Sequence, residues 1–430
     1  MEKETTIRTQ FLLTLATLLL TASFAIAQNM TILHSFNDIN NNSTDLNNPE
    51  APLIADAAGN LYGTTVSGGT SGYDGGVFEI SPPAAIGGPW TETILYNFTG
   101  GADGTMPVGG LVMDANGALY GTTSEGGTGL YGTVFQLSPP AVQGGAWTKT
   151  ILFSFDNGND GGSPVSAPVF DKSGNLYGTA LAGGSGSGGV IFELSPPAIS
   201  GDPWTETVLY SFVYATKSVT GCKPQASLLP AQNGAFYGTA MYCGANGGGV
   251  AYEIVPPAIS GGAWAYSVIH AFGFANGTGN GNHPTANLIA GKGGVLYGTT
   301  QEGGTGSVGT VYSLTPPKTK GRAWTEAILH SFSTNTDGAL PIGGLTLTAN
   351  GTLYGTTCCG GSSLRGNIFK VTPPAVSGGS WTFTTLYTCS DAATSPAFPW
   401  ASMSLINGAF YGTSFSGGPN NDGTVFKFIP

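Results

Sequence analysis

One phrase recurs seven times along this chain, and nothing else constrains its fold as strongly. "GALYGTTSEGG" begins at Gly117 and "GVLYGTTQEGG" at Gly294, with variants between and beyond. The tyrosine of the phrase falls at Tyr62, Tyr120, Tyr177, Tyr237, Tyr297, Tyr354 and Tyr411, so successive copies are 58, 57, 60, 60, 57 and 57 residues apart. A fixed period means that each copy is one supersecondary unit, which buries its apolar faces only against its neighbours.

Each unit carries the same four apolar runs. In the second copy they are "PVGGLVMD" (107–114), "ALYGTT" (118–123), "GTVFQLSPP" (132–140) and "WTKTILFSF" (147–155). Each is short, rich in β-branched and aromatic residues, and bounded by Gly, Pro, Asn or Asp, which reads as a strand. None shows the 3.6-residue spacing of a helix. We label these strands a, b, c and d. The a–b turns ("AAGN", "ANGA", "KSGN", "QNGA") hold residues that tolerate positive φ, as a tight hairpin requires. Pro-Pro after strand c removes two backbone donors and ends the ladder. Runs such as "TILFSF" are apolar on both faces, as expected of strands covered on both sides. The glycine after the tyrosine lies inside strand b, where it costs stability unless something needs the space. The expectation is an aromatic side chain of the neighbouring unit.

The two ends decide between an open solenoid and a closed ring. The last copy finishes at strand c, "GTVFKFIP", ending at Pro430. "MTILHSF" (30–36) aligns with strand d of the other copies, such as "TEAILHSF" (325–332). Together the ends complete one unit. The expectation is an all-β fold, a seven-bladed β-propeller of four-stranded antiparallel blades, closed by the N-terminal strand.

Ahead of the repeats, residues 1–27 read as a signal peptide. Lys3 and Arg8 precede the apolar run "FLLTLATLLL" (11–20), and "AIA" (25–27) offers a cleavage site before Gln28. An uncleaved N-terminal anchor is the alternative. The domain reading is then 1–27 signal peptide and 28–430 one propeller, secreted, periplasmic or on the cell surface. No later run is long and apolar enough to span a membrane. Only 9% of residues are charged, against about 25% in ordinary soluble domains. The net charge is −11, which lacks the basic footprint of nucleic-acid binding. The chain is read as a monomer without a nucleic-acid partner.

The third copy shows a resemblance clearly: "GNLYGTA" (174–180), "GGVIFELSPP" (188–197) and "WTETVLYSF" (204–212). This pattern resembles the GloVer (Gloeo/Verruco) tandem-repeat family of exported bacterial proteins, over nearly all of 30–430. The resemblance implies a secreted or surface protein with no assigned catalytic residues. Some members carry a C-terminal sorting or anchoring tail, and none is expected after strand c here.

Function is sought where the sevenfold pattern breaks. The repeated Trp90, Trp147, Trp204, Trp264, Trp324 and Trp381 read as inter-blade fillers rather than sugar platforms. His34, His270 and His330 occupy the strand-d slot that holds Tyr96, Phe153, Tyr210 and Tyr387 elsewhere, and they do not share a blade. They therefore read as slot fillers, and no metal is expected. "GADG" (101–104), "TNTDG" (334–338) and "DNGNDGG" (156–162) lack calcium-loop spacing and read as turns.

Strand a should line the channel. A proline recurs near its start, at Pro49, Pro107, Pro164, Pro224, Pro284, Pro341 and Pro399, with variable flanks. Before it stand Asn48, Met106, Ser163, Lys223, His283, Leu340 and Phe398. After it stand Glu50, Val108, Val165, Gln225, Thr285, Ile342 and Trp400. A constant scaffold with a variable mouth is how a binding site is built on a rigid fold. Glu50, Lys223, Gln225, His283, Phe398 and Trp400, with Glu125 and Glu302 from b–c loops, form the candidate ligand set. The reading is a binding or scaffold module for glycan or protein. A secreted polysaccharide lyase or hydrolase, with Glu50, Glu302 and His283 as acid and base, is the alternative. No catalytic residue and no cofactor are assigned. Export favours disulfides. Cys222 and Cys243 lie at one end of one hairpin and should pair. Cys389 should pair with Cys358 or Cys359, with a vicinal Cys358–Cys359 bridge as the rival.

Overall fold

The computed structural model describes residues 29–37 and 45–430, apart from 71–72, 86, 143, 200, 216–217, 260, 274–279, 320, 335 and 377. The signal-peptide reading lies outside the described residues. Seven antiparallel four-stranded sheets follow one another around a ring. In the first blade strand a is Ile54–Ala55, b is Leu61–Thr65, c is Gly76–Ser81 and d is Thr91–Asn97. The seventh takes a, b and c from Ser404–Ile406, Ala409–Ser414 and Thr424–Ile429. Its strand d is Asn29–Ser35 from the opposite end of the chain, paired from Asn29 with Ile429 to Ser35 with Thr424. No described helix is long and apolar enough to cross a membrane.

The recurring Tyr-Gly-Thr is explained residue by residue. The threonine hydroxyl donates to a carbonyl three residues ahead of strand a of the next blade: Thr64 to Gly109 at 3.0 Å, Thr122 to Ser166 at 3.0 Å, Thr239 to Ala286 at 3.2 Å. Thr413 donates to Ala51 at 2.9 Å and so joins the last blade to the first. These hydroxyls are buried, where a lost partner is costly. The glycine clears room for an aromatic ring. A methyl on Gly63 would lie 2.5 Å from Phe78 Cζ, and one on Gly121 2.6 Å from Phe135 Cζ. That ring comes from strand c of the same blade, not from the neighbouring unit as the sequence suggested. The cause is register, since Gly63 stands directly opposite Phe78 and Gly121 opposite Phe135.

Neighbouring blades meet through apolar clusters. Tyr62, Val77 and Phe98 of the first blade pack with Leu111, Leu119, Phe135 and Leu137 of the second, and Trp147 lies against them. A core phenylalanine ends strand d in six blades: Phe36, Phe98, Phe155, Phe212, Phe272 and Phe332, all fully buried. Strand d is the edge strand of each blade, and in the second blade its first half is largely exposed. Ile151, in a run expected to be apolar on both sides for burial, is 37% exposed.

Candidate functional site

The segment before each recurring proline pairs with the segment after strand b. Leu46–Asn47 pairs with Ser67–Gly68, Gly281–Asn282 with Glu302–Gly303, and Pro396–Ala397 with Ser416–Gly417. Single bridges take this place elsewhere, such as Thr105 with Glu125 and Cys222 with Tyr242. The d–a and b–c connections therefore lie together at one end of the blades.

The residue before each proline has left-handed backbone in all seven copies. Asn48, Met106, Ser163, Lys223, His283, Leu340 and Phe398 have φ between 53° and 61°. Such a conformation is unfavourable for a residue with a side chain and persists only where its surroundings hold it. Each of these residues is held by at least two backbone bonds. The Lys223 N–H donates to Gly188 O at 2.7 Å, and its carbonyl accepts from Met241 N at 3.1 Å. For His283 the partners are Gly248 O and Gln301 N, both at 2.9 Å.

This kink separates the two flanks of the proline. All seven residues that follow it, Glu50, Val108, Val165, Gln225, Thr285, Ile342 and Trp400, line one central cavity of about 450 Å³. The preceding residues are not part of its wall and contact the loops instead. The Lys223 ammonium lies 5.5 Å from the Tyr214 ring centre. The Arg365 guanidinium lies 4.9 Å from the Phe398 ring centre. His283 Nδ1 is 3.3 Å from Glu302 Oε2, and its ring meets Tyr242 edge-on at 4.7 Å. Glu125 is exposed, with its backbone bridged to Thr105. Of the candidate set, the cavity thus gathers Glu50, Gln225 and Trp400. Lys223, His283, Phe398, Glu125 and Glu302 stand outside its wall.

The wall also holds residues that sequence reasoning left out of the set. Thr285 was visible as the residue after its proline. Asn287, Met241 and Gln301 carry no signal in one sequence beyond their distance from the repeat landmarks. Asn287 Oδ1 accepts from Ser227 N at 2.7 Å, which fixes its amide. The Trp400 ring stacks on Phe415, 4.5 Å between centres and 14° from parallel. Trp400 Nε1 and Thr285 Oγ1 are buried without a hydrogen-bond partner in the protein. A buried polar atom left in this way calls for an explanation.

Among the described residues, Glu50 is the one ionisable side chain in the wall. Burial pushes its carboxyl up to about 7. The folded protein then holds a proton that the unfolded chain releases near pH 4.5, so stability falls as pH rises through 7. Glu50→Gln is expected to raise Tm at pH 8 and to leave it nearly unchanged at pH 4. Scanning calorimetry at both values checks this; an equal change at both would mean a solvated carboxyl. The acid–base set suggested by sequence is not assembled in the wall, because Glu302 pairs with His283 outside it.

Cys222 and Cys243 form a disulfide, with Cα atoms 5.5 Å apart. It staples the d–a segment to the b–c loop of the fourth blade. Cys358, Cys359 and Cys389 are free thiols, so the expected bridge from Cys389 is not formed. The reason is its place in the strand. Cys389 stands where six blades carry the core phenylalanine. It is fully buried, and its N–H donates to Gly366 O as that of Phe332 does to Gly309 O.

Comparisons with known proteins follow the same lines. A family model described as the Gloeobacter/Verrucomicrobia repeat matches residues 21–219 and again 202–426. A search of curated protein sequences gives no match. Among solved structures, a candidate 6-phosphogluconolactonase from Bacteroides uniformis is 13% identical with a TM-score of 0.52, over 82% of this chain and 88% of its own. The extracellular domain of a candidate hybrid two-component system from B. thetaiotaomicron is 11% identical with a TM-score of 0.52. That match covers 93% of this chain and 39% of the other. At such identities the likeness is one of fold alone. The family match spans both halves of the ring, and the chain belongs to the Gloeobacter/Verrucomicrobia repeat family.

Proposed function

We propose that this protein is an exported binding module that holds a hydroxyl-rich ligand, a glycan chain, at the channel mouth. The observation that carries this reading is the wall of the central cavity. It combines the indole of Trp400, the Thr285 side chain, the amides of Gln225, Asn287 and Gln301, and, among the described residues, a single carboxyl at Glu50. Sugar hydroxyls both donate and accept, which suits such a set, and an aromatic face suits their C–H surfaces. A charged polymer would find no cation in the wall. The leader-like segment 1–27 and the disulfide support an exported setting.

The test is calorimetric titration of the protein with a panel of neutral polysaccharides, run beside an assay for released reducing ends. Binding without product is expected. Trp400→Ala should weaken it on the order of tenfold or more, a loss of about 1.4 kcal/mol. Absence of binding across the panel would overturn the glycan reading. Product release that vanishes in Glu50→Gln would replace a binding module by a hydrolase or lyase.

A further inference from the structure

Three positions meet at the outer strand where the first and second, the fifth and sixth, and the seventh and first blades adjoin. They are the slot residue of one strand d, a residue in the loop that leaves it, and the second residue of the next strand d. Between the first and second blades these are Tyr96, Asp103 and Lys149. The Lys149 ammonium is 2.7 Å from Asp103 Oδ1, Tyr96 donates to the same oxygen at 2.8 Å, and the lysine side chain is only 4% exposed. A cation is built into that junction by the sequence.

At the ring-closing junction, between the seventh and first blades, the same positions hold His34, Asp45 and Glu92. The lysine has become a glutamate, so two carboxylates and an imidazole share a half-buried space. Among the described residues, this is where three His, Asp or Glu ligand atoms gather within 4.8 Å of one another. His34 Nε2 and Glu92 Oε2 are 3.3 Å apart. His34 Nε2 and Glu92 Oε1 are both buried without a hydrogen-bond partner. Asp45 is oriented by the N–H groups of Asn37 and Leu46, which donate to its two oxygens at 2.8 and 2.9 Å. The other slot histidines differ. His330 faces Asp337 at 2.8 Å but has Phe383 stacked on its ring; His270 faces Glu326 at 3.5 Å, with His270 Nε2 and Glu326 Oε1 likewise unpartnered, but no third such ligand joins them among the described residues.

We propose that His34, Asp45 and Glu92 bind a divalent cation of the zinc type, which ties the closing strand to the first blade. Imidazole with carboxylates suits zinc and its first-row neighbours, whereas calcium prefers an all-oxygen shell. Ligands around tetrahedral zinc lie roughly 3.3–3.5 Å apart, so only small side-chain rotations are needed. The sequence suggested no metal because the histidines do not share a blade. The cluster needs one histidine and two carboxylates, and the latter reach it only when the ring closes.

The experiment is titration of chelator-treated protein with zinc chloride, followed by heat and by Tm. One equivalent is expected to bind and to raise Tm by about 2 °C or more at a hundredfold excess over Kd. His34→Phe places in the slot the residue that the second blade carries there as Phe153, so the fold should accept it. It should lose at least tenfold in zinc affinity, while His270→Phe and His330→Phe keep it. Glu92→Lys copies the Lys149 junction and should raise Tm of the metal-free protein while removing the response to zinc. No binding by the unaltered protein would overturn the proposal. So would unchanged binding in His34→Phe, or a surviving zinc response in Glu92→Lys.

Discussion

Removal of residues 29–36 is expected to abolish the cooperative thermal transition and drive the protein into aggregates. These residues supply the whole outer strand of the seventh blade. They also supply Phe36, fully buried in the cluster that joins the seventh blade to the first through Leu46, Leu53, Phe78 and Val425. Without them, strand Thr424–Ile429 presents an open edge of backbone donors and acceptors, which invites pairing with a second chain. The loss exceeds that of one strand, because the first and last blades then meet without their shared filler. Size-exclusion chromatography and a melting curve decide it. A soluble species with unchanged Tm would show that the ring does not depend on this closure.

Trp147→Ala is expected to destabilise the protein by about 3 kcal/mol, at the lower end for removal of a large aromatic side chain, since the ring is only partly buried. Trp147 immediately precedes the outer strand of the second blade and lies 6.5 Å from the Tyr62 ring of the first, tilted by 60°. Trp90 with Tyr411, Trp324 with Tyr237, and Trp381 with Tyr297 repeat the contact, so the tryptophan of one blade caps the tyrosine of the preceding one. Urea unfolding measures the effect. A change below 1 kcal/mol, with Phe135→Ala still costly, would mean that the tryptophans are surface platforms and not inter-blade fillers.

Blade number, strand order and ring closure were legible in the chain because they follow from local regularities. The period counts the units, two-residue alternation and turn residues mark the strands, and a strand d detached from its own unit implies closure. Cys389 shows a signal that was present but passed over: "LYTC" aligns with "LYNF" and "LFSF", which puts the cysteine in the phenylalanine position and inside the core. The identity of the ring over each strand-b glycine depended on b–c register, which sets which side chain stands opposite.

The candidate site divides along the same line. The sequence by itself determined that seven variable pairs flank seven prolines at one end of the ring. Only the tertiary structure decided which member of each pair faces the cavity. Left-handed backbone at the preceding residue, held by bonds to two different loops, turns the following residue inward, so Glu50, Gln225, Thr285 and Trp400 meet there while Lys223 and His283 do not. The cluster of His34, Asp45 and Glu92 was likewise beyond a linear reading. Its members are brought together by closure of the ring, and closure is a property of all seven blades at once.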